Sequence, residues 1–246
     1  MGPQFNYTVA PHLEEFTVSF ATFRAARPKY VHYVGGALIF SRIATCPEYG
    51  RNGTGKESEG QTQGQQRPLR ILLLQRAFED SYGGQWEGPG GSCDPEDETI
   101  LDGVAREVLE ESGLHVSRFV ELAGKHEWVK LRPDRVELAV KYTFIVEVHE
   151  ARPAVPGDGQ DENGLPTDKL EKGTVVPGLG RRWEEKVKLA PAEHRAFEWV
   201  TEEEVREGDE NESGKYKSFG NQGKTILDAF QMFRERPGLV QGGGDA

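Results

Sequence analysis

Apolar residues in this chain fall into short blocks set between long polar stretches, and the blocks differ in their periodicity. Tyr33–Ser41 reads Tyr-Val-Gly-Gly-Ala-Leu-Ile-Phe-Ser, a short continuous apolar run of the kind a buried strand needs. Leu69–Gln75 (Leu-Arg-Ile-Leu-Leu-Leu-Gln) predicts a second strand, and Phe119–Val129 and Val136–Val148 a third and fourth. Arg195–Val200 predicts a strand that returns to the same sheet. A helical period replaces these runs elsewhere. Leu101, Val104, Ala105 and Val108 lie on one face of a helix, and Ile226, Leu227, Phe230 and Phe233 give Lys224–Arg236 a face suited to docking on a sheet. Thr201 stands three residues before Glu204, a capping box that opens a short acidic helix. The aromatic stretch Phe16–Phe23 fits either a strand or a short helix.

Two polar stretches, residues 47–68 and 151–180, are rich in Gly, Pro, Gln, Glu and Ser and predict flexible insertions between core elements. The first separates two adjacent strands, which explains the pattern better than a domain boundary would. The expected organisation is an N-terminal extension over residues 1–30 packing on the core, a single domain over 31–236, and a disordered tail over 237–246. No internal repeat is present.

Residues 86–114 carry the chemistry. A glycine-rich turn, Trp86-Glu87-Gly88-Pro89-Gly90-Gly91, leads to a helix containing Arg106-Glu107-Val108-Leu109-Glu110-Glu111 and ending at Gly113. Helical spacing puts Glu107, Glu110 and Glu111 on the side opposite the apolar face. Like charges so placed cost about 0.2–0.5 kcal/mol per pair, so a cation that neutralises them is the natural counterpart. Mg²⁺ is held in this way, by a few carboxylate oxygens together with waters and substrate phosphates. Three further residues favour a site over a merely solvated face. Gly103 sits on the glutamate side of the helix, where glycine costs about 1 kcal/mol relative to Ala and needs a packing or access reason. Arg106 can orient the acids through paired hydrogen bonds. Gly90 and Gly91 let backbone approach a metal or a phosphate.

This segment closely resembles the Nudix box, G-x5-E-x7-R-E-U-x-E-E-x-G-U with U an apolar residue, the signature of the Nudix hydrolase superfamily. Glu98, seven intervening residues and Arg106–Leu114 match throughout. Six residues instead of five separate Gly91 from Glu98, which places one inserted residue in the loop 92–97. The match covers about 29 residues directly and extends more loosely over Tyr33–Val148 and Lys186–Phe233. The resemblance implies an α/β fold, a Nudix-type α/β/α sandwich around a mixed β-sheet, here with long polar loop insertions. It implies hydrolysis of a diphosphate linkage in a nucleoside diphosphate joined to another group. It also implies roles: Glu107, Glu110, Glu111 and a Gly91 or Gly90 carbonyl around the metal, Arg106 orienting the acids, Glu98 as an accessory acid, and Mg²⁺ as cofactor with Mn²⁺ as a substitute. Some Nudix enzymes draw a further acid from a loop in the region of Glu193, as metal ligand or general base, so Glu107 and Glu193 are both candidate bases.

Charge and composition narrow the partners. The 246-residue chain has 30 Lys and Arg against 41 Asp and Glu, a net charge of −11, which argues against a dedicated nucleic-acid-binding surface. A bound Mg²⁺ would still supply local positive charge for a phosphorylated ligand. Two cysteines, Cys46 and Cys93, make no disulfide framework. No apolar run is long enough for a membrane span, and no secretory signal is evident, so a cytoplasmic or nuclear location is expected. Among weaker signals, Gly50–Lys56 approaches the phosphate-binding P-loop but has Glu57 where Ser or Thr belongs. His194 reads as a phosphate contact or an exposed residue. Glu127 and Glu137 are secondary acid candidates, and Trp86, Trp128 and Trp199 read as packing residues before base-stacking ones.

The leading expectation is an Mg²⁺-dependent pyrophosphohydrolase acting on a small nucleotide substrate. Its rivals are a catalytically silent fold module that binds a nucleotide or protein, and an RNA-decapping enzyme using a basic strip of Lys125, Lys130, Arg132 and Arg135.

Overall fold

The structure is a computed structural model that describes residues 5–42, 68–151, 182–211, 213–236 and 238–239. Most of both polar insertions, the P-loop-like segment, Cys46 and nearly all of the tail lie outside the described residues. The strands are β1 (Thr8–Val9), β2 (His32–Ser41), β3 (Arg70–Arg76), β4 (Trp86–Glu87), β5 (Gly90–Ser92), β6 (Val116–Leu131), β7 (Val136–Val148) and β8 (His194–Thr201). The helices are α1 (Phe20–Ala25), α2 (Ile100–Ser112), α3 (Glu202–Glu210) and α4 (Gln222–Glu235). All the strands join one sheet in the order β1-β6-β7-β2-β3-β4, with β5 also paired to β2 and β8 to β3. It is mixed: β1 runs parallel to β6 and β7 parallel to β2, while the other pairs are antiparallel.

Alternation along the central strands builds two cores. Ala37, Ile39, Leu72 and Leu74 point to one face, where Ile100, Leu101, Val104 and Val108 of α2 cover them. Leu38, Phe40, Ile71 and Leu73 point to the other, under Ile226, Ala229, Phe230 and Phe233 of α4 and Val205 of α3. A continuous apolar run is what a strand buried on both faces requires, and burying each such side chain stabilises the fold by about 1.5–3 kcal/mol. The result is the expected α/β class, a mixed sheet between helical layers.

The N-terminal stretch resolves as helical. Pro11–Phe16 forms a 3-10 turn and α1 follows, burying Leu13, Phe16, Phe20 and Phe23 in the α2-side core. Edge-to-face contacts of Phe16 with Phe144 and of Phe23 with Tyr142 fix it against β7. Tyr7 reaches the start of α2, where its hydroxyl donates to Asp102 Oδ1 at 2.8 Å.

Two local features set α2 in place. Thr99 and Asp102 form a reciprocal capping box at its start, and Gly113 ends it in the left-handed region at φ 69°. At Gly35 of β2 a Cβ atom would lie 2.5 Å from Val104 Cγ2, so the helix packs closer to the sheet than any other residue there would allow. Among the described residues no helix is long and apolar enough to cross a membrane.

Candidate metal centre

The acids of α2 divide into buried and exposed. Glu107 and Glu111 are 9% and 3% exposed, whereas Glu110 faces solvent. Glu111 accepts a 2.7 Å hydrogen bond from the Gly90 backbone N–H, which ties the end of the helix to β5. Gly90 sits at φ 153°, and a Cβ there would fall 2.4 Å from the Gly35 carbonyl oxygen. The Glu107 carboxylate lies over Gly91 so closely that a Cβ would come within 2.6 Å of Oε1. Thus Glu107, Glu111, Gly90 and Gly91, four of the residues singled out in the sequence, meet at one place. A carboxylate pair over bare backbone is an oxygen-rich cradle that suits a hard divalent cation.

Arg106 is the organising cation. Its Nη1 donates to Glu107 Oε1 and Glu110 Oε2, both at 3.0 Å, and its Nε and Nη2 hold Asp97 at 3.1 and 3.2 Å. Nη2 also donates to the Ser92 carbonyl at 3.0 Å. The guanidinium therefore locks the 92–97 loop to the helix. Here the structure differs from the spacing argument. Asp97, five intervening residues from Gly91, is the acid that meets Arg106, while Glu98 is exposed and contributes its carbonyl to Phe20 N–H at 2.8 Å. The extra residue thus lies after the arginine's partner acid and not before it. Gly103 has its reason too: Asp97 Oδ2 would stand 2.7 Å from a Cβ at that position.

Beyond the helix, the turn before β8 carries Glu193, and His194 opens the strand. Both backbone N–H groups bond to the Ala190 carbonyl, at 3.0 and 2.9 Å, and the Glu193 carbonyl accepts from Ala77 N–H at 2.8 Å. One ligand atom each from Glu111, Glu193 and His194 lies within 4.8 Å of the others. Glu193 is exposed, so it rims this group of residues. His194 corrects the sequence reading of an exposed residue, being only 1% exposed. Glu87, at the opening of the glycine turn, is a buried acid that the sequence reading does not single out. It is 2% exposed, hydrogen-bonded by Arg76, and accepts from Gln222 Nε2 at 3.3 Å, while Lys141 Nζ donates to Gln222 Oε1 at 3.4 Å.

Electrostatics separate these acids. Burial pushes the Glu111 carboxyl up to about 9, opposed by the Gly90 N–H and reinforced by Glu87, Glu107 and Glu193. Burial raises Glu107 as well, against the pull of Arg106. For Glu87 burial also acts upward, but His194, Lys141 and Arg76 outweigh it and hold the carboxyl at about 2. Lys141 is moved down by burial. Cys93, within the 92–97 loop, is raised to about 12 by burial and nearby acids, which makes it a poor nucleophile.

The remaining candidates lie in structural pairings. Glu127 bonds Tyr30, Lys29 and Lys125, and Glu137 bonds His32, Arg132 and Arg135. These pairs use three of the four cations of the basic strip, so it presents no free row of charges. Trp86 is buried and packs edge-to-face on Tyr216, Trp199 packs on Trp183, and Trp128 stacks on His126.

An α/β/α sandwich whose glycine turn and capped helix bring buried carboxylates together defines the class. Residues 61–174 match the family model of the NUDIX domain, so this part of the chain is similar to the Nudix family. No curated protein matches the chain. Similar solved structures include a C. elegans Ap4A hydrolase binary complex, 15% identical, covering 83% of this chain and 99% of that one with a TM-score of 0.42. The NUDIX domain of Shewanella oneidensis NrtR complexed with ADP ribose is 14% identical, covering 82% and 87% with a TM-score of 0.44. A MutT NUDIX hydrolase from Burkholderia pseudomallei is 19% identical, covering 70% and 84% with a TM-score of 0.36.

Proposed function

We propose that this protein is a divalent-cation-dependent pyrophosphohydrolase that cleaves the diphosphate linkage of a nucleoside diphosphate joined to another group. The observation that carries this reading is the pair of buried acids, Glu107 and Glu111, set over glycine backbone with too little positive charge around them. Glu107, Glu110, Glu111 and the Gly91 carbonyl would hold Mg²⁺, with Mn²⁺ as a substitute. Bound there, the cation would offset charge on the diphosphate and raise the nucleophilicity of water near neutral pH.

The chain's own residues supply the rest. Arg106 keeps Glu107 and Glu110 turned toward one another and fixes the 92–97 loop, so the acids are ordered before substrate arrives. Glu107 and Glu193 are the two acids offered as proton acceptor for the attacking water. Asp97 serves as a positioning residue, holding the guanidinium from the far side. Attack at one phosphorus then yields two phosphate-ended products.

The test is turnover against a panel of nucleoside diphosphate compounds, with and without Mg²⁺, for wild type and Glu110→Gln. Glu110 is exposed, so the variant should fold normally. Mg²⁺-dependent hydrolysis reduced about 10–100-fold in the variant supports the reading. A flat panel for a folded protein that still binds Mg²⁺ overturns it in favour of a silent nucleotide-binding module.

A further inference from the structure

His194 is buried at 1% exposure, and among the described residues neither of its ring nitrogens has a hydrogen-bond partner. A buried polar group left unpaired forfeits its hydration without compensation, so an imidazole in this state calls for a ligand. Its surroundings say which kind. Nδ1 stands 3.9 Å from Glu111 Oε1 and Nε2 stands 3.7 Å from Glu87 Oε1, both beyond hydrogen-bond reach. Glu111, Glu193 and His194 bring one ligand atom each within 4.8 Å. Ligand atoms this close need only small side-chain movements to converge on one ion.

The backbone favours the same conclusion. Where β8 pairs with β3, Gln75 faces Ala196 but Arg76 faces His194, so Arg195 is an extra residue in the ladder. A bulge of this kind re-aims the side chains beside it. Arg195 lies outward with its guanidinium 4.0 Å from the Phe78 ring centre, and His194 is turned in. Behind the ring, Glu87 is anchored by Arg76 and Gln222. A metal-binding histidine commonly directs its second ring nitrogen at such a carboxylate, which fixes the tautomer and ring orientation.

We propose that His194 Nδ1, with Glu111 and Glu193, forms a mixed nitrogen–oxygen site for a divalent transition-metal ion, with Glu87 orienting the ring through Nε2. The inference rests on the hydrolase reading in sharing Glu111 with the cation-binding acids of α2. It adds a preference: imidazole suits transition ions such as Zn²⁺, Fe²⁺ or Ni²⁺ far better than Mg²⁺, which favours oxygen, and Mn²⁺ serves as the paramagnetic probe. The N–O site would therefore load a transition metal while the all-oxygen acids accept Mg²⁺.

The test uses Mn²⁺ alone, without substrate, on the full chain. Pulsed electron paramagnetic resonance of the Mn²⁺-loaded protein should show nitrogen coupling from a directly bound imidazole, and His194→Gln should abolish it. The variant should weaken Mn²⁺ binding about tenfold or more and leave Mg²⁺ affinity unchanged. If His194→Gln does not fold, a chain with His12, His32, His115, His126 and His149 replaced by Gln leaves His194 as the sole histidine, and its coupling must persist. Mn²⁺ bound without nitrogen coupling overturns the proposal yet leaves a carboxylate-bound metal intact. No Mn²⁺ or Mg²⁺ binding at all overturns both this site and the hydrolase reading.

Discussion

Two groups of acids sit at different places in this fold, and they are treated in opposite ways. At the β6–β7 hairpin, Glu127 is surrounded by Tyr30, Lys125 and Lys29, and Glu137 by His32, Arg132 and Arg135. These partners hold both carboxyls at about 2. At α2 the balance is reversed. Among the described residues Arg106 is the one Lys or Arg paired with Asp94, Asp97, Glu107 and Glu110, and Glu111 accepts from a backbone N–H with His194 Nδ1 3.9 Å away, so its carboxyl is pushed up by burial to about 9. An acid cluster with its cations supplied is architecture. One that lacks them while buried stores a deficit of positive charge that a metal ion can fill.

That contrast can be broken most sharply at Glu107. Glu107→Gln should lower metal-dependent turnover by about 10²–10⁴-fold, read by product release from a chain whose circular dichroism is unchanged. Gly91→Ala comes next. Its new methyl would stand 2.6 Å from Glu107 Oε1, so it should displace the carboxylate and destabilise the fold by about 1–3 kcal/mol, measured by urea unfolding alongside Mg²⁺ affinity.

Glu111→Gln should act in the opposite direction on stability. Because the folded pKa of Glu111 lies above that of the unfolded chain, its protonation supports the fold fully below about pH 4.5 and this support is lost as pH rises toward 9. The neutral amide escapes that loss. Without metal, the variant should melt higher than wild type at about pH 8, by about 2–4 °C for each kcal/mol recovered, and the gap should close near pH 5. Added Mg²⁺ should stabilise wild type and do less for the variant.

Glu137→Gln is the control at the hairpin and should have the smallest effect on function. Turnover and cation affinity should match wild type. The depressed pKa gives a stability contribution that is present above about pH 4.5 and lost as pH falls toward 2, so wild type and variant should converge in acid melts.

Much of this arrangement was legible in the residues because it rests on local pattern. The runs at Tyr33–Ser41 and Leu69–Gln75, the period of Leu101, Val104 and Val108, and the Thr201–Glu204 capping box each declare their element within a few positions. Other features depended on distant contacts. Phe16, Phe20 and Phe23 chose a helical form through rings on β2 and β7, more than ten to more than a hundred positions away in the chain. Strands β4 and β5 are too short and glycine-rich to show an alternation. Spacing alone left the extra loop residue before Glu98, and only the Arg106–Asp97 bonds move it after the partner acid. His194 was least legible, since its burial follows from a bulge in β8 and from Glu87, which belongs to a different strand.

The most direct test of the account is calorimetric titration of Mg²⁺ into wild type, Glu107→Gln and Glu137→Gln at neutral pH. The charge-deficit reading predicts saturable binding to wild type and to Glu137→Gln, with binding to Glu107→Gln weakened about 10–100-fold. Equal affinity in all three proteins, or binding lost at Glu137 and kept at Glu107, would contradict it.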